Sequence, residues 1–303
     1  MRIVFYGTPE FAVASLESII SHGFNVVAVV SSPDKPAGRG MHLQQSAVKQ
    51  CALKHGLPVL QPVNLKSPEF LEQLKQFNPD IQVIIAFRML PEIVWNFPKL
   101  GTMNLHASLL PNYRGAAPIN RAIMNGETET GVTTFFLKHA IDTGDIILQE
   151  KVEITSKEDA GTLHDKLMII GAGLVVKTLE MIEKGDYTEY PQVVQPNHQI
   201  APKIFTADCE INWNKRLNVI SNQIRGLSPY PGAFTKYQEK TLKIYKGSFE
   251  LCEVEQSGLF ELSADRRFRI SGIDGWYYPE IVQPEGKRKM QIQDFVNGLK
   301  IDL

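Results

Sequence analysis

Asn104 and His106 stand two residues apart in G-T-M-N-L-H-A-S-L-L-P-N-Y-R-G-A-A-P, residues 101–118. Thr102, Asn104 and His106 alternate there with Met103, Leu105 and Ala107. That period of two predicts a short strand with the amide and the imidazole on one face. The strand runs into Ser108, two leucines and a loop punctuated by Pro111, Gly115 and Pro118. An amide and an imidazole emerging together at a strand end suit chemistry on a carbonyl. Asn can donate a hydrogen bond to a developing oxyanion. His can accept or relay a proton near neutral pH. A lone N-x-H is better explained by a strand-end amide that ties a turn and a satisfied histidine; here the surrounding sequence changes that balance. Downstream, I-D-T-G-D at 141–145 sets two aspartates around Thr-Gly between apolar runs. Turn chemistry accounts for Asp and Gly in that pattern. The alternative is that Asp142 is a carboxylate aimed at His106.

The elements that must position these groups can be read from the apolar runs. Arg2–Tyr6 is a compact run ending at Gly7, followed by helical spacing through Ile20 and a second apolar run at Asn25–Val30. This strand, helix and strand predict a βαβ unit and hence a parallel sheet with a right-handed crossover. A single glycine, Gly7, occupies the first turn, and G-x-G-x-x-G is missing, which argues against a dinucleotide cofactor. Helices are expected at 46–56 and 67–77. The run I-Q-V-I-I-A-F after Asp80 is expected as a central strand buried on both faces. It ends in Phe87-Arg88-Met89-Leu90. Ligands in open α/β sheets bind beyond the carboxyl ends of strands, so this strip shares a rim with Asn104 and His106. Its apolar side chains and free backbone groups suit a flat heterocycle. A β-rich run at 131–138, a strand at 146–149 and one long helix over 161–183 complete the first domain.

Residues 186–207 hold three prolines and little periodicity and read as a linker. Beyond it, Leu217, Ile220, Ile224 and Leu227 mark an amphipathic helix. Short strands with turn signals then predict a small barrel or sandwich. Basic clusters fall at Lys236/Lys240/Lys243/Lys246, Arg266-Arg267-Arg269 and Lys287-Arg288-Lys289, with Tyr237, Tyr245 and Phe268 between them. Any one cluster is explained by a solvated face. Three in one small domain point to a nucleic-acid backbone. The early segment S-S-P-D-K-P-A-G-R-G, residues 31–40, reads on composition as a solvated loop.

The 303 residues, 43% hydrophobic and 21% charged, can bury a sizeable core, and the net charge of −1 gives no global sign of a polyanion partner. Cys51, Cys209 and Cys252 are odd in number, with no C-x-x-C. That argues against a disulfide framework or a zinc site and fits a reducing cytosol. The start, M-R-I-V-F-Y-G, reads directly as a strand, and no window approaches the roughly 18 apolar residues of a membrane span.

N-L-H, S-L-L-P-x-x-R-G-A-A-P and I-D-T-G-D, in one order and spacing, resemble the methionyl-tRNA formyltransferase family. Y-G-T-P-E-F-A, D-K-P-A-G-R-G, R-G-L-S-P-Y-P-G-A and Q-P-E-G-K-R-K-M extend the resemblance over almost the whole chain. N-x-H with a distant Asp is shared by formyltransferases and hydrolases that use the same donor. R-G-A-A-P, P-A-G-R-G and the carboxy-terminal domain are more specific. The resemblance implies an α/β architecture: a Rossmann-like parallel-sheet catalytic domain over 1–189, a linker over 190–207, and an OB-like β-barrel tRNA-binding domain over 208–303. It implies 10-formyltetrahydrofolate as formyl donor, no metal, and the α-amino group of methionine on initiator tRNA as acceptor. Asn104, His106 and Asp142 would be catalytic. Phe87, Arg88, Met89, Leu90, Ser108, Leu109, Leu110 and Pro111 would hold the donor. Lys35, Arg39, Arg114, Lys243, Arg267, Lys287, Arg288 and Lys289 would contact tRNA. Phe87-Arg88-Met89 departs from the Tyr-Gly-Leu-like run of many relatives and leaves the Arg88 side chain without an assigned role. The rival readings are formyl transfer to a small amine, hydrolysis of the donor, and a non-catalytic RNA-binding protein. A small acceptor does not need the basic second domain, and an intact Asn104, His106 and Asp142 speaks against a dead scaffold. No oligomer is implied.

Overall fold

A computed structural model describes residues 1–37, 42–263 and 266–298. The opening βαβ unit is present as β1 (Arg2–Gly7), α1 (Glu10–Ser21) and β2 (Asn25–Val30). The segment read as a loop holds a short strand, β3 (Lys35–Ala37), which pairs antiparallel with β4 (His42–Gln44) just beyond it. Then follow α2 (Ala47–Lys54), β5 (Val59–Leu60), α3 (Pro68–Phe77), β6 (Ile81–Ile85), α4 (Glu92–Trp95) and β7 (Thr102–His106). After these come β8 (Arg114–Gly115), α5 (Pro118–Met124), β9 (Glu129–Phe136), β10 (Ile146–Glu153) and α6 (Ala160–Lys184). Two helix starts were written in the sequence. Ser46 caps α2 by accepting the Lys49 N–H at 3.0 Å, and Ser67 caps α3 by accepting the Phe70 N–H at 3.3 Å. Such caps satisfy amides that the helix itself cannot.

The seven strands of the first sheet lie in the order β10-β9-β7-β6-β1-β2-β5. From β5 to β7 all neighbours are parallel, whereas β9 runs antiparallel to β7. The expected parallel sheet is therefore mixed on the side that carries Asn104 and His106. All five residues of β6 are buried, as a central strand covered on both faces requires. Tyr6, Phe5, Ile3 and Leu16 are fully buried beside it. Removing each such side chain from water contributes about 1.5–3 kcal/mol.

The chain divides into two compact units. The first comprises Met1–Gly115, Thr130–Val152 and His164–Ile200. The second takes Ala116–Glu129, Glu153–Leu163 and the chain from Ala201 onward. After α6 come β11 (Ile200–Ala201), a 3-10 turn at Thr206–Cys209, α7 (Leu217–Gly226), β12 (Ala233–Tyr237), β13 (Lys240–Leu251) and β14 (Phe260–Leu262). These lead to β15 (Phe268–Ser271), β16 (Gly275–Pro284), β17 (Met290–Gln291) and α8 (Ile292–Asn297). The strands β12-β13-β16-β15-β14 pair antiparallel in that order, with β17 on β16. Register shifts around Lys246 mark an irregularity in the long β13–β16 pair. The result is a curled antiparallel half-barrel with β12 and β14 at its ends. Leu217, Ile220, Ile224 and Leu227 pack into one core with Ile244, Phe268, Ile270, Tyr277 and Val282. Phe268 is buried in that core and Tyr237 meets Phe260, Phe268 and Phe295 edge-on or tilted, so these two aromatics pack inward and are not a stacking platform.

Candidate active site

The parallel strands β1, β6 and β7 end on one rim of the first sheet. The strand order turns back here: from β1 the sheet grows through β2 to β5, and β6 then returns to the other side of β1. Crevices outside the carboxyl ends at such a reversal are where open α/β sheets bind ligands.

β7 delivers Asn104 and His106 to this rim. Asn104 sits opposite Ile84 of β6 and Phe135 of β9, and His106 opposite Thr133 of β9. Asn104 is half-buried, and its carboxamide makes no hydrogen bond among the described residues. His106 is 7% exposed, with Nε2 at 2.8 Å from the carbonyl oxygen of Tyr113. A carbonyl only accepts, so Nε2 carries hydrogen and donates. Nδ1 is then the basic nitrogen of the neutral ring. It faces Asp142 Oδ2 at 3.9 Å, beyond direct hydrogen bonding. The same Oδ2 accepts the Gly115 N–H at 3.0 Å. Asp142 has φ +54°, a left-handed conformation in which Asp is among the more tolerant residues. I-D-T-G-D is a turn, and the turn carries the Asp142 carboxylate to within 4 Å of the imidazole.

The Ser108–Pro111 segment is pinned from below. The Ser108 hydroxyl donates to the Asn112 carbonyl at 2.6 Å, and the Ser108 carbonyl accepts from Thr133 Oγ1 at 2.6 Å. Thr133 Oγ1 in turn accepts the Leu110 N–H at 3.2 Å. Gln149 Nε2 donates to Thr133 Oγ1 at 2.9 Å and to the Leu110 carbonyl at 3.0 Å. Leu110 is buried, while Leu109 and Pro111 are half-buried.

Phe87–Leu90 follows Ala86, another left-handed residue at φ +48°. Leu90 is buried and Met89 is 74% exposed. The Arg88 guanidinium donates to the carbonyls of Pro62 and Val63, the latter at 2.8 Å, and lies 5.7 Å from the Phe87 ring centroid. Its side chain thus ties the strip to the 62–63 turn. A cavity of about 950 Å³ opens here, lined by Val63, Leu65, Arg88, Met89, Leu90 and Ile93 among others.

The basic residues are dispersed. Lys35 is exposed on the β3–β4 hairpin, and Arg39 lies outside the described residues. Arg114 is half-buried on the first unit, with Nε and Nη2 on Gln192 Oε1 at 3.0 and 2.6 Å. Burial lowers its guanidinium from the ordinary range, and the nearby Asp142 charge opposes that shift. In the second unit, Lys243 is half-buried and donates to the Pro231 carbonyl at 2.8 Å, lining a cavity of about 740 Å³ with Phe205, Tyr230 and Lys236. Arg267 is 4.2 Å from the Tyr278 ring centroid and 3.6 Å from Glu250. Lys289 stands 3.6 Å from the Tyr245 ring centroid, while Lys287 and Arg288 are exposed beside it.

Tyr113, Thr133, Gln149 and Gln192 support the site without having been singled out by sequence. Tyr113 acts through its backbone, which leaves no trace in side-chain chemistry. Thr133 had one signal, a polar residue in a strand buried on both faces. Among the described residues, Glu17, Cys51 and His55 bring potential metal-ligand atoms within 4.8 Å of one another. They lie toward the carboxyl ends of α1 and α2, which in a βαβ layer point away from the carboxyl rim of the strands. No helix of the described residues is long and apolar enough to cross a membrane.

Comparison with known proteins gives the same direction. The profile of the formyl transferase family matches residues 1–179, and that of the formyl transferase C-terminal domain matches residues 203–300. The methionyl-tRNA formyltransferase of Azobacteroides pseudotrichonymphae is 50% identical over 314 residues, covering 98% of this chain and 95% of its own. That of Parabacteroides distasonis is 48% identical, covering 99% and 96%. Among solved structures, an N-formyltransferase from Helicobacter canadensis, in complex with folinic acid and dTDP-3-aminofucose, is 25% identical with a TM-score of 0.68. That alignment covers 95% of this chain and 99% of the other. With both profiles matched and relatives near half identity along its whole length, the chain belongs to the methionyl-tRNA formyltransferase family.

Proposed function

We propose that this chain transfers a formyl group from 10-formyltetrahydrofolate to the α-amino group of methionine on initiator methionyl-tRNA, for translation initiation. The family draws on folate-derived formyl donors. The observation that carries the reaction is Asn104 and His106 on one strand end, with Asp142 facing the free nitrogen of the imidazole.

The aminoacyl α-amine has a pKa of about 8, so a usable neutral fraction exists near pH 7. Its lone pair attacks the formyl carbon, a C–N bond forms and the carbonyl oxygen becomes an oxyanion. Asn104 donates its free amide N–H to that oxyanion, and protonated His106 adds Nδ1–H. The Asp142 carboxylate, facing Nδ1, lies where it can stabilise charge carried by the imidazole during the transfer. As the tetrahedral centre collapses, the bond to N10 breaks and His106 gives its Nδ1 proton to N10; the Nδ1 so freed takes the proton lost by the amine, which restores the starting imidazole. Tetrahydrofolate and the formylated aminoacyl-tRNA leave. No step as written needs a metal. Ser108 has its hydroxyl committed to a carbonyl and no dedicated base, so a covalent route through it is unsupported.

The donor is assigned to the strip Phe87–Leu90 and the Ser108–Pro111 segment, with its ring system against the cavity beside Met89 and Leu90. The catalytic domain is taken as residues 1–189 and the RNA-binding domain as 208–303, with the chain acting in the cytoplasm. Lys35 and Arg39 would position the reacting 3′ end. Lys243, Arg267 and Lys287–Lys289 would follow the stem backbone. Release of tetrahydrofolate, measured with and without methionyl-initiator tRNA, tests the proposal. Release that depends on the charged tRNA is expected. Release with water alone, or with a small amine in its place, would replace this reading by hydrolysis or by small-acceptor transfer.

A further inference from the structure

Gln192 lies between the two profile-matched ranges, 1–179 and 203–300, in the run Y-P-Q-V-V. Its carboxamide nevertheless has all its hydrogen-bonding groups occupied. Nε2 donates to the carbonyls of Asp142 at 2.9 Å and Gly144 at 2.8 Å. Oε1 accepts from Nε and Nη2 of Arg114. A primary amide offers two N–H donors and two acceptor lone pairs, so four bonds saturate it. The arrangement also fixes which way the amide points. Turned over, it would set donors against a guanidinium and an oxygen against two carbonyls.

The two groups joined by Gln192 are the two that define the Asp142 carboxylate. One is the Asp142–Gly144 turn that bears it. The other is the Arg114–Gly115 dipeptide, whose Gly115 N–H holds Oδ2 at 3.0 Å. Asp142 sits at φ +54°, a conformation that costs an L-residue about 1–2 kcal/mol and persists where surrounding contacts over-determine it. Bonds to the carbonyls of Asp142 itself and of Gly144 supply that restraint on either side of Thr143.

We infer that Gln192 is a positioning residue acting through Asp142: it joins the Asp142 turn to the Arg114–Gly115 dipeptide and thereby sets the carboxylate 3.9 Å from His106 Nδ1. Gln192 thereby also takes the Nε–Nη2 edge of Arg114, so that this edge serves the site and only the Nη1–Nη2 end is left for an anion. This inference rests on the formyl-transfer reading above, in which Asp142 supports His106.

The test is a kinetic cycle on the full chain with Gln192→Met, Asp142→Asn and the double variant, read by single-turnover tetrahydrofolate release with charged initiator tRNA. Misplacing a catalytic group by about 1 Å can cost on the order of 100-fold. Gln192→Met is expected to lower the rate by about 10- to 100-fold at saturation, with the apparent affinity for the donor changed less than about twofold. In the Asp142→Asn background the same change should cost less than about twofold, since groups acting as a unit are non-additive. A merely structural loss would lower both backgrounds equally and overturn the inference, as would an unchanged rate for Gln192→Met beside an active wild type. Far-UV circular dichroism and thermal unfolding accompany each variant. Should Gln192→Met fail to fold, Gln192→Glu takes its place, keeping the acceptor for Arg114 while removing both donors to the turn, and the same non-additivity is expected. A wild type that releases no tetrahydrofolate with charged tRNA would instead remove the function on which the cycle depends.

Discussion

With Nε2 of His106 given to the Tyr113 carbonyl, only Nδ1 of the imidazole is left for a substrate. The proton relay proposed above would therefore be one-sided, with Asn104 on the same strand face assigned to the oxyanion. Asn104→Ala is expected to lower the rate of formyl transfer by about 100- to 1000-fold, as loss of an oxyanion donor does. Calorimetric binding of the folate donor should be nearly unchanged. Collapse of binding with normal turnover at saturation would move Asn104 from the transition state to the ground state. At this scale the spacing set Asn104 and His106 on one strand face, the resemblance drew Asp142 to them, and the structure places all three at one rim. Tyr113 was not legible, since any residue offers the same carbonyl, nor was Gln192, which reaches Asp142 from 50 residues away.

Elements hold these groups through close approaches that tolerate no extra atom. A Cβ on Gly144 would fall 1.6 Å from the Phe136 carbonyl oxygen and 3.0 Å from the Phe135 ring. Gly144→Ala should therefore displace the turn that carries Asp142. Denaturant unfolding is expected to register a loss of about 1–3 kcal/mol, typical of overpacking, together with reduced turnover. Wild-type stability with full activity would mean that the turn has another place to go. On β1, Tyr6 is fully buried and its hydroxyl has no hydrogen-bond partner among the described residues. The same burial pushes its phenol pKa up. Tyr6→Phe removes an unsatisfied group and should stabilise by about 1 kcal/mol, seen as a higher urea midpoint. A lower midpoint would reveal a partner for the hydroxyl. The strands and helices themselves were largely legible. Apolar runs marked β1, β2 and β6, and Ser46 and Ser67 marked the starts of α2 and α3. The direction of β9 was not legible, because V-T-T-F-F fits a parallel or an antiparallel neighbour equally well. The ties of the 186–207 stretch were not legible either: Tyr190 to Ile146, Gln192 to Arg114 and Asp142, and Gln199 to Tyr113 are long-range contacts that leave no period in the sequence.

On the scale of the whole molecule, the net charge of −1 hides a local basic cluster at Lys287, Arg288 and Lys289. Each phosphate contact contributes roughly 0.7–0.9 to the slope of log affinity against log salt. Alanine at all three positions is expected to weaken tRNA binding and flatten that slope by about 2 to 3, measured across several salt concentrations. A wild-type slope would show that these cations face solvent and not RNA. Turnover at saturating tRNA should fall much less, because the reaction proposed above places the reacting amine at the first unit.

Gln192 has a consequence for how such enzymes can be cut and recombined. It belongs to the first compact unit yet follows the last residue of the first matched profile by 13 positions, 192 against 179. A chain divided after residue 189 would keep all seven strands of the first sheet and the whole of α6. It would still lose the amide that steadies Asp142. A chimera joined at that seam would inherit its Asp142 turn from one parent and its Gln192 from the other. The exchangeable module therefore runs past the visible domain, and a crossover meant to leave the chemistry intact belongs beyond Gln192.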